Sequence, residues 1–327
     1  MPAAVVPFSL LAAALVPAAA SAQAPVAPVA PAAPPAPVPT QMALTIERVG
    51  GPRAAVLSGS SVRVRGATPV FAPGESITLK FYIAGKKRFT RQVALQPQAD
   101  GTGAILLGYK PRRPGTMIVT ATHAASAALG TFIAKSGSID VLPRRVLPSS
   151  GPASIRALQR RLRRLGYVTG DRGSFDGRTA RAVLAFRKVA RMKRTTSAST
   201  GLMRALARGK GRFKIRFPRH GRHVEADLSR QVIALIQGGR VRRIYPTSSG
   251  APGTPTVQGA FQVYLKTPGT NAKGMVDAAY FIRGYATHGY ASVPVYPASR
   301  GCLRVPIPDA RTLFNWIRIG TPVDVYP

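Results

Sequence analysis

Cysteine occurs once in 327 residues, at Cys302. An intrachain disulfide is therefore excluded, and with it a fold stapled by bridges. Histidine occurs four times, at His123, His220, His223 and His288, and no Cys/His group has the close spacing of zinc ligands. No metal or organic cofactor is expected. Acid is scarce: 11 Asp and Glu stand against 47 Lys and Arg, 36 of them Arg, for a formal net charge of +36. Most cations thus lack an acidic partner within the chain, and anionic partners or surroundings are expected. Aromatics make up 7% of the chain, with a single Trp. The basic stretches are not interleaved with base-stacking aromatics, so the charge is not read as nucleic-acid binding. The apolar run Phe8–Val16 is too short to span a bilayer, even extended to Ala20, and no transmembrane helix is expected. Hydrophobic residues are nonetheless 45% of the chain, which excludes disorder throughout and leaves material for two or three domains.

Organisation can be read along the chain. Phe8–Val16 followed by Ala20-Ser21-Ala22 has the pattern of a signal peptide over 1–22, although Met1 to Pro7 holds no Lys or Arg. An Ala/Pro-rich tail is the competing reading. Residues 23–41 are a Pro/Ala-rich linker, with Pro25, Pro28, Pro31, Pro34, Pro35, Pro37 and Pro39. Such a stretch favours polyproline II and would form a semi-rigid spacer of roughly 50 Å. From 42 to 143 the pattern has period two: Ile77, Leu79, Phe81 and Ile83 alternate with Thr78, Lys80 and Tyr82, and Val62 and Val64 with Arg63 and Arg65. Turn signals at Ala72-Pro73-Gly74, Asp100-Gly101 and Arg113-Pro114-Gly115 separate the runs. About seven short strands in about 100 residues predict an immunoglobulin-like β-sandwich. No chemistry is visible there, and His123 has no evident partner.

Residues 144–152 read as a linker, after which the period becomes helical: Ile155, Leu158, Leu162 and Leu165, closed by Gly166. A second helix follows Asp176 as N-cap, with Val183 and Phe186 on its apolar face, and a third carries Leu202 and Leu206. The residues Leu158-Gln159, Leu162, Leu165-Gly166-Tyr167, Phe175-Asp176, Thr179, Ala182-Val183 and Phe186 resemble the helical peptidoglycan-binding domain, over 153–208. Arg187 stands where that family usually has Gln. Residues 151–205 hold 14 basic side chains and only Asp171 and Asp176 as acids. The charge is either a solvated face or an attraction to anionic cell-wall polymers and peptide carboxylates. The stretch 209–221 reads as a basic linker, which leaves His220 and His223 expected to be solvated.

Residues 222–327 read as mostly β, with a hairpin at Gly238-Gly239 and one helix from Asp309, taken as its cap. Cys302 lies in Ser299-Arg300-Gly301-Cys302-Leu303-Arg304, with His288 fourteen residues upstream in Tyr285-Ala286-Thr287-His288-Gly289. A Cys/His pair is the minimum for thiol nucleophilic catalysis: the imidazole either takes the thiol proton or, as a cation, holds the thiolate below the usual value of about 8.5. By spacing alone this is weak, since the fold must bring the two together. The ordered set is stronger. Ser249-Gly250, Gly253-Thr254-Pro255-Thr256, Gly259 and Phe261, then His288-Gly289, Ser299-Arg300-Gly301-Cys302, Asp309-Ala310 and Gly320-Thr321-Pro322-Val323 resemble the L,D-transpeptidase catalytic domain.

That resemblance implies a multidomain cell-wall enzyme with three folded parts: the sandwich, a small three-helix peptidoglycan-binding unit and a mostly-β catalytic domain. It would be exported to the periplasm or the wall. Cys302 would be the nucleophile and His288 the general base and acid, oriented by the Gly289 carbonyl. The backbone N–H groups of Arg300, Gly301 and Cys302 would form the oxyanion hole. Arg304, Ser299 and Tyr285 are candidates for substrate binding, Arg304 equally for a structural salt bridge and Tyr285 for a packed aromatic. The partners implied are peptidoglycan stem peptides, a donor tetrapeptide and an acceptor. Two alternatives remain open at this stage: an L,D-carboxypeptidase or endopeptidase with water as acceptor, and a non-catalytic wall-binding adaptor.

Overall fold

The computed structural model describes residues 41–48 and 55–327. The expected signal peptide and all but the last residue of the Pro/Ala-rich linker lie outside the described residues.

The N-terminal part contains β1 (Ala43–Arg48), β2 (Ala55–Leu57), β3 (Val62–Thr68), β4 (Ser76–Ile83), β5 (Lys86–Ala94), β6 (Gln96–Pro97), β7 (Gly103–Tyr109), β8 (Gly115–His123), β9 (Phe132–Lys135) and β10 (Ile139–Leu142). The alternation seen in the sequence is the alternation of burial. In β3, Val62 and Val64 point inward and Arg63 and Arg65 outward; in β4, Ile77, Leu79, Phe81 and Ile83 are buried. Two sheets result, ordered β1-β3-β7-β6 and β2-β10-β8-β4-β5, with β9 beside β8. Val62, Val64 and Ile105 from one sheet and Leu79, Phe81, Met117 and Val119 from the other share one core. β2 runs parallel to β10, a pairing that strand periodicity does not reveal. His123 does have partners: its Nε2 lies 2.9 Å from Glu75 Oε2 and its Nδ1 3.2 Å from the Gly130 carbonyl.

Three helices follow: α1 (Pro152–Arg164), α2 (Gly177–Val189) and α3 (Thr200–Ala207). Their ends are set by local chemistry. Pro152 occupies the first turn of α1, and Gly166, at φ +93°, takes the left-handed turn after its end. Asp176 and Ser199 cap α2 and α3 by accepting from the N–H of Thr179 and Leu202. Leu158, Leu162, Val183, Phe186, Leu202 and Leu206 form a core continuous with Leu142 and Val146 on one side and with Val232, Ala234, Ile236 and Ile244 on the other. Val146 and Phe213, in the two stretches expected to be linkers, are themselves buried. Arg187 is buried as well. Its guanidinium donates to the carbonyls of Ser197 and Lys193 and to Ser199 Oγ, and so holds the loop between α2 and α3.

The C-terminal part contains β11 (His223–Asp227), β12 (Val232–Gln237), β13 (Arg240–Pro246), β14 (Gly259–Gln262), β15 (Leu265–Thr270), β16 (Val276–Ile282), β17 (Tyr285–Tyr290), β18 (Leu303–Pro306), α4 (Ile307–Trp316) and β19 (Pro322–Tyr326). One sheet has the order β13-β12-β11-β19-β14 and the other β15-β16-β17-β18. Val224, Leu235 and Val323 of the first pack with Phe281, Leu303 and Val305 of the second and with Leu313 of α4. Gly238 and Gly239, at φ +58° and +65°, make the tight turn between β12 and β13.

Two expectations are corrected here. Asp309 does not cap α4; it lies in the first turn, buried, and its carboxylate accepts from Arg181 at 2.8 Å and faces Arg178 at 3.5 Å, tying α4 to α2. Nor is His223 solvated: it is fully buried in β11, with Nε2 3.2 Å from Glu225, while His220 pairs with Asp324 at 3.0 Å. Glu225 also accepts the backbone N–H groups of Arg216 and Phe217, which fastens the incoming segment to the sheet. A buried carboxylate requires such donors, and the basic segment supplies them from its backbone. Among the described residues no helix is long and apolar enough to cross a bilayer.

Candidate active site

β17 and β18 are parallel neighbours, with Thr287 opposite Leu303, His288 opposite Arg304 and Gly289 opposite Val305. A parallel pair requires a crossover, and here it is the irregular stretch 291–302. This register brings His288 and Cys302 to one cavity of about 760 Å³, together with Tyr290, Arg304, Arg300 and Ser299 from the same two segments. The β15–β16 hairpin supplies the remaining wall with Asn271, Lys273, Met275 and Tyr280. Asn271 Oδ1 accepts the N–H groups of Lys273 and Met275, which shapes the hairpin tip. Among the described residues, three cations and no acid line the cavity.

The loop before Cys302 is held on several sides. Ser299 Oγ donates to the Cys302 carbonyl at 2.6 Å and accepts from the Gly301 N–H at 3.0 Å. The N–H groups of Ala298 and Ser299 donate to the Ser249 carbonyl, and Thr254 Oγ1 donates to the Ser299 carbonyl. The Ser249-Gly250 and Gly253-Thr254 motif is therefore the seat of the cysteine loop. Gly250 has no room for a side chain: a Cβ there would lie 2.2 Å from the Thr254 carbonyl. Gly301 sits at φ +108°, and a Cβ would meet Tyr285 Cε1 at 1.8 Å. Tyr285 thus packs beneath Gly301 and is not among the residues lining the cavity. Ser299 lines the cavity, but its hydroxyl is committed to the loop. Among the described residues Arg304 makes no salt bridge; its guanidinium stacks 4.2 Å over Tyr290 and donates to the Ala298 carbonyl.

His288 is buried, and its Nδ1 lies 2.9 Å from the Gly289 carbonyl. Donation from Nδ1 leaves Nε2 as the basic nitrogen. Gly289 is confined by α4: a Cβ there would be 2.6 Å from that of Ala310. Burial pushes the His288 pKa down, against the pull of the Gly289 carbonyl, and Arg304 pushes the same way. Burial pushes the Cys302 thiol up, and the Ala286 N–H, Arg304 and Lys273 only partly offset it. Both shifts favour neutral groups. Burial therefore favours a thiol and a neutral imidazole over a thiolate–imidazolium pair. The thiol is oriented toward the Gly284 carbonyl, 3.7 Å away. One oxyanion expectation is also corrected. The Gly301 N–H is already committed to Ser299, whereas no acceptor among the described residues engages the N–H of Arg300 or Cys302.

Lys273, Asn271, Tyr280 and Tyr290 were not anticipated. Neither periodicity nor a motif marks them, because they reach the cavity only through strand pairing.

A thiol, an imidazole with a fixed tautomer and two unengaged N–H groups in a cationic cavity are the components of thiol acyl transfer. The family model for the YkuD L,D-transpeptidase catalytic domain matches residues 221–325, and that for a putative peptidoglycan binding domain matches 152–206. Among solved structures, the chain is similar to an L,D-transpeptidase from Xylanimonas cellulosilytica DSM 15894, with 34% identity over 56% of this chain and 98% of that one, at a TM-score of 0.50. It also aligns with an L,D-transpeptidase from Stackebrandtia nassauensis at 19% identity, over 52% of this chain and 89% of the other, with a TM-score of 0.36. No curated protein sequence matches significantly. The chain belongs to the L,D-transpeptidase family.

Proposed function

We propose that the protein is a peptidoglycan L,D-transpeptidase with Cys302 as nucleophile and His288 as general base and acid. The observation that carries this reading is the shared cavity of the two residues, with His288 Nδ1 held by the Gly289 carbonyl so that Nε2 is the base. Cys302 Sγ attacks the carbonyl joining diaminopimelate to the terminal D-alanine of a stem tetrapeptide, and its proton passes to His288. The oxyanion faces the N–H groups of Arg300 and Cys302. His288 returns the proton to the departing amine, D-alanine leaves and a thioester remains. The side-chain amine of a second stem's diaminopimelate attacks the thioester, loses its proton to His288 and frees the thiol. Burial favours the neutral forms of both groups, which suits proton transfer concerted with attack in general base catalysis. The cations of the cavity suit a substrate bearing carboxylates. With water in place of the amine the same steps give carboxypeptidase action.

The helical unit is the natural wall-binding module, and the immunoglobulin-like sandwich and Pro/Ala-rich segment space it from a surface. Export to the periplasm or wall follows from the substrate. The test is intact mass after incubation with a carbapenem, wild type beside Cys302→Ala. A single adduct on wild type alone is expected, and in a separate drug-free incubation wild type is expected to form new L,D cross-links in muropeptide analysis. No adduct on folded wild type would refute the reading and favour the adaptor.

A further inference from the structure

The helical unit does more in this fold than sit beside the catalytic sheets. Arg194, in the loop between α2 and α3, donates from Nη1 to the Val295 carbonyl and from Nη2 to the Ser229 carbonyl, each at 2.9 Å. Val295 lies midway along the crossover that runs from His288 to Cys302. Lys188, near the end of α2, is 2% exposed and donates from Nζ to the carbonyls of Gln231 at 3.1 Å and Thr247 at 2.8 Å. Both acceptors belong to residues that hold the cysteine loop. The Gln231 amide bonds to both the hydroxyl and the N–H of Ser249, whose carbonyl receives Ala298 and Ser299. Thr247 Oγ1 donates to the Arg304 carbonyl at 2.7 Å.

We infer that Arg194 and Lys188 are positioning residues for the reaction: the helical unit clamps the crossover and its seat, and thereby sets where Cys302 stands relative to His288. Two features make this more than ordinary interdomain packing. The polar contacts fall on the loop and its supports, whereas the apolar contacts of the helices fall within β12 and β13 and on Ala55, Leu142 and Val146. A buried ammonium is costly, and burial pushes the Lys188 amine down to about 7, yet the fold spends it on two backbone carbonyls whose residues lead to Cys302. A small displacement of a reacting group is enough to matter: about 1 Å can cost about a hundredfold in rate.

The inference rests on the transpeptidase reading, and its test separates the two. The full chain is compared as wild type, Arg194→Ala, Arg194→Lys and Lys193→Ala, the last removing an exposed charge from the same loop. Carbapenem acylation of Cys302 is timed by intact mass, and kcat and KM are measured on a soluble tetrapeptide. Pelleting with purified sacculi and thermal unfolding complete the set. Arg194→Ala is expected to lower the acylation rate and kcat tenfold or more with KM and pelleting unchanged; Arg194→Lys recovers part of the rate and Lys193→Ala matches wild type. Lys188→Met, which takes the donor from the Thr247 carbonyl and leaves the Gln231 carbonyl only the Thr247 N–H, acts in the same direction. Acylation of Arg194→Ala within twofold of wild type overturns the inference, as does a loss shared by Lys193→Ala or one that tracks sacculus pelleting. Failure of wild type to acylate overturns the transpeptidase reading instead.

Discussion

Replacing Gly301 with alanine puts a methyl group 1.8 Å from Cε1 of Tyr285, where the backbone already stands at φ +108°. Two costs follow. A side chain in that region of φ costs about 1–3 kcal/mol even with open space around it. Non-bonded carbons also settle about 3.5–4 Å apart, so the contact must open by roughly 2 Å. Tyr285 is half-buried against the core of the two sheets, which limits how far its ring can yield. The loop therefore moves, and Cys302 is the next residue. A displacement of about 1 Å at the nucleophile lowers the acylation rate about a hundredfold or more. Carbapenem acylation timed by intact mass reads this directly, with thermal unfolding alongside. The diagnostic variant is the double change Gly301→Ala with Tyr285→Ala. It removes the clash but not the backbone cost, so it should regain part of the lost rate while staying below Tyr285→Ala alone. Because Tyr285 does not line the cavity, Tyr285→Ala alone should keep most of its acylation rate and lose mainly stability. If Gly301→Ala reacts at the wild-type rate, or if deleting the ring restores nothing, the account of this loop is wrong.

Two further outcomes follow from groups already described. Burial raises the Cys302 thiol, so alkylation by neutral iodoacetamide should be slow near neutrality and climb through an inflection above about 8.5, the free-cysteine value; a plateau already reached below pH 7 would show a preformed thiolate. Arg187→Gln, which installs the residue usual in the peptidoglycan-binding family, removes donors from the Ser197 and Lys193 carbonyls and from Ser199 Oγ. It should destabilise the protein by about 1–3 kcal/mol in urea unfolding followed by circular dichroism, and an unchanged midpoint would remove Arg187 from its structural role.

Much of the molecule was legible in local pattern. Alternation in Ile77, Leu79, Phe81 and Ile83 marked a strand with one buried face, and Asp176 marked a helix start, because pleat, helical period and caps act within a few residues. Cys302 and His288 were legible as an ordered motif. Their meeting was not, since it depends on the parallel register of β17 and β18. Local pattern misled where charge was the guide. His223 after a basic segment was expected to be solvated, and Arg187 and Lys188 belonged to a basic face read as open to solvent or to wall polymers; all three are buried, Arg187 bonded to the α2–α3 loop, Lys188 to carbonyls beside β12 and β13, and His223 to Glu225 of its own strand.

The amino-acid order alone thus set the positions of strands, caps and the thiol and imidazole, all consequences of short-range backbone preference and side-chain type. The folded arrangement decided the rest: that Thr254 donates to the Ser299 carbonyl, that burial favours the neutral forms of Cys302 and His288, and that Lys273 faces their cavity. It also placed Arg194 on the crossover between His288 and Cys302. Those properties depend on desolvation and on hydrogen bonds between segments far apart in sequence, and neither exists until the sheets and helices have packed.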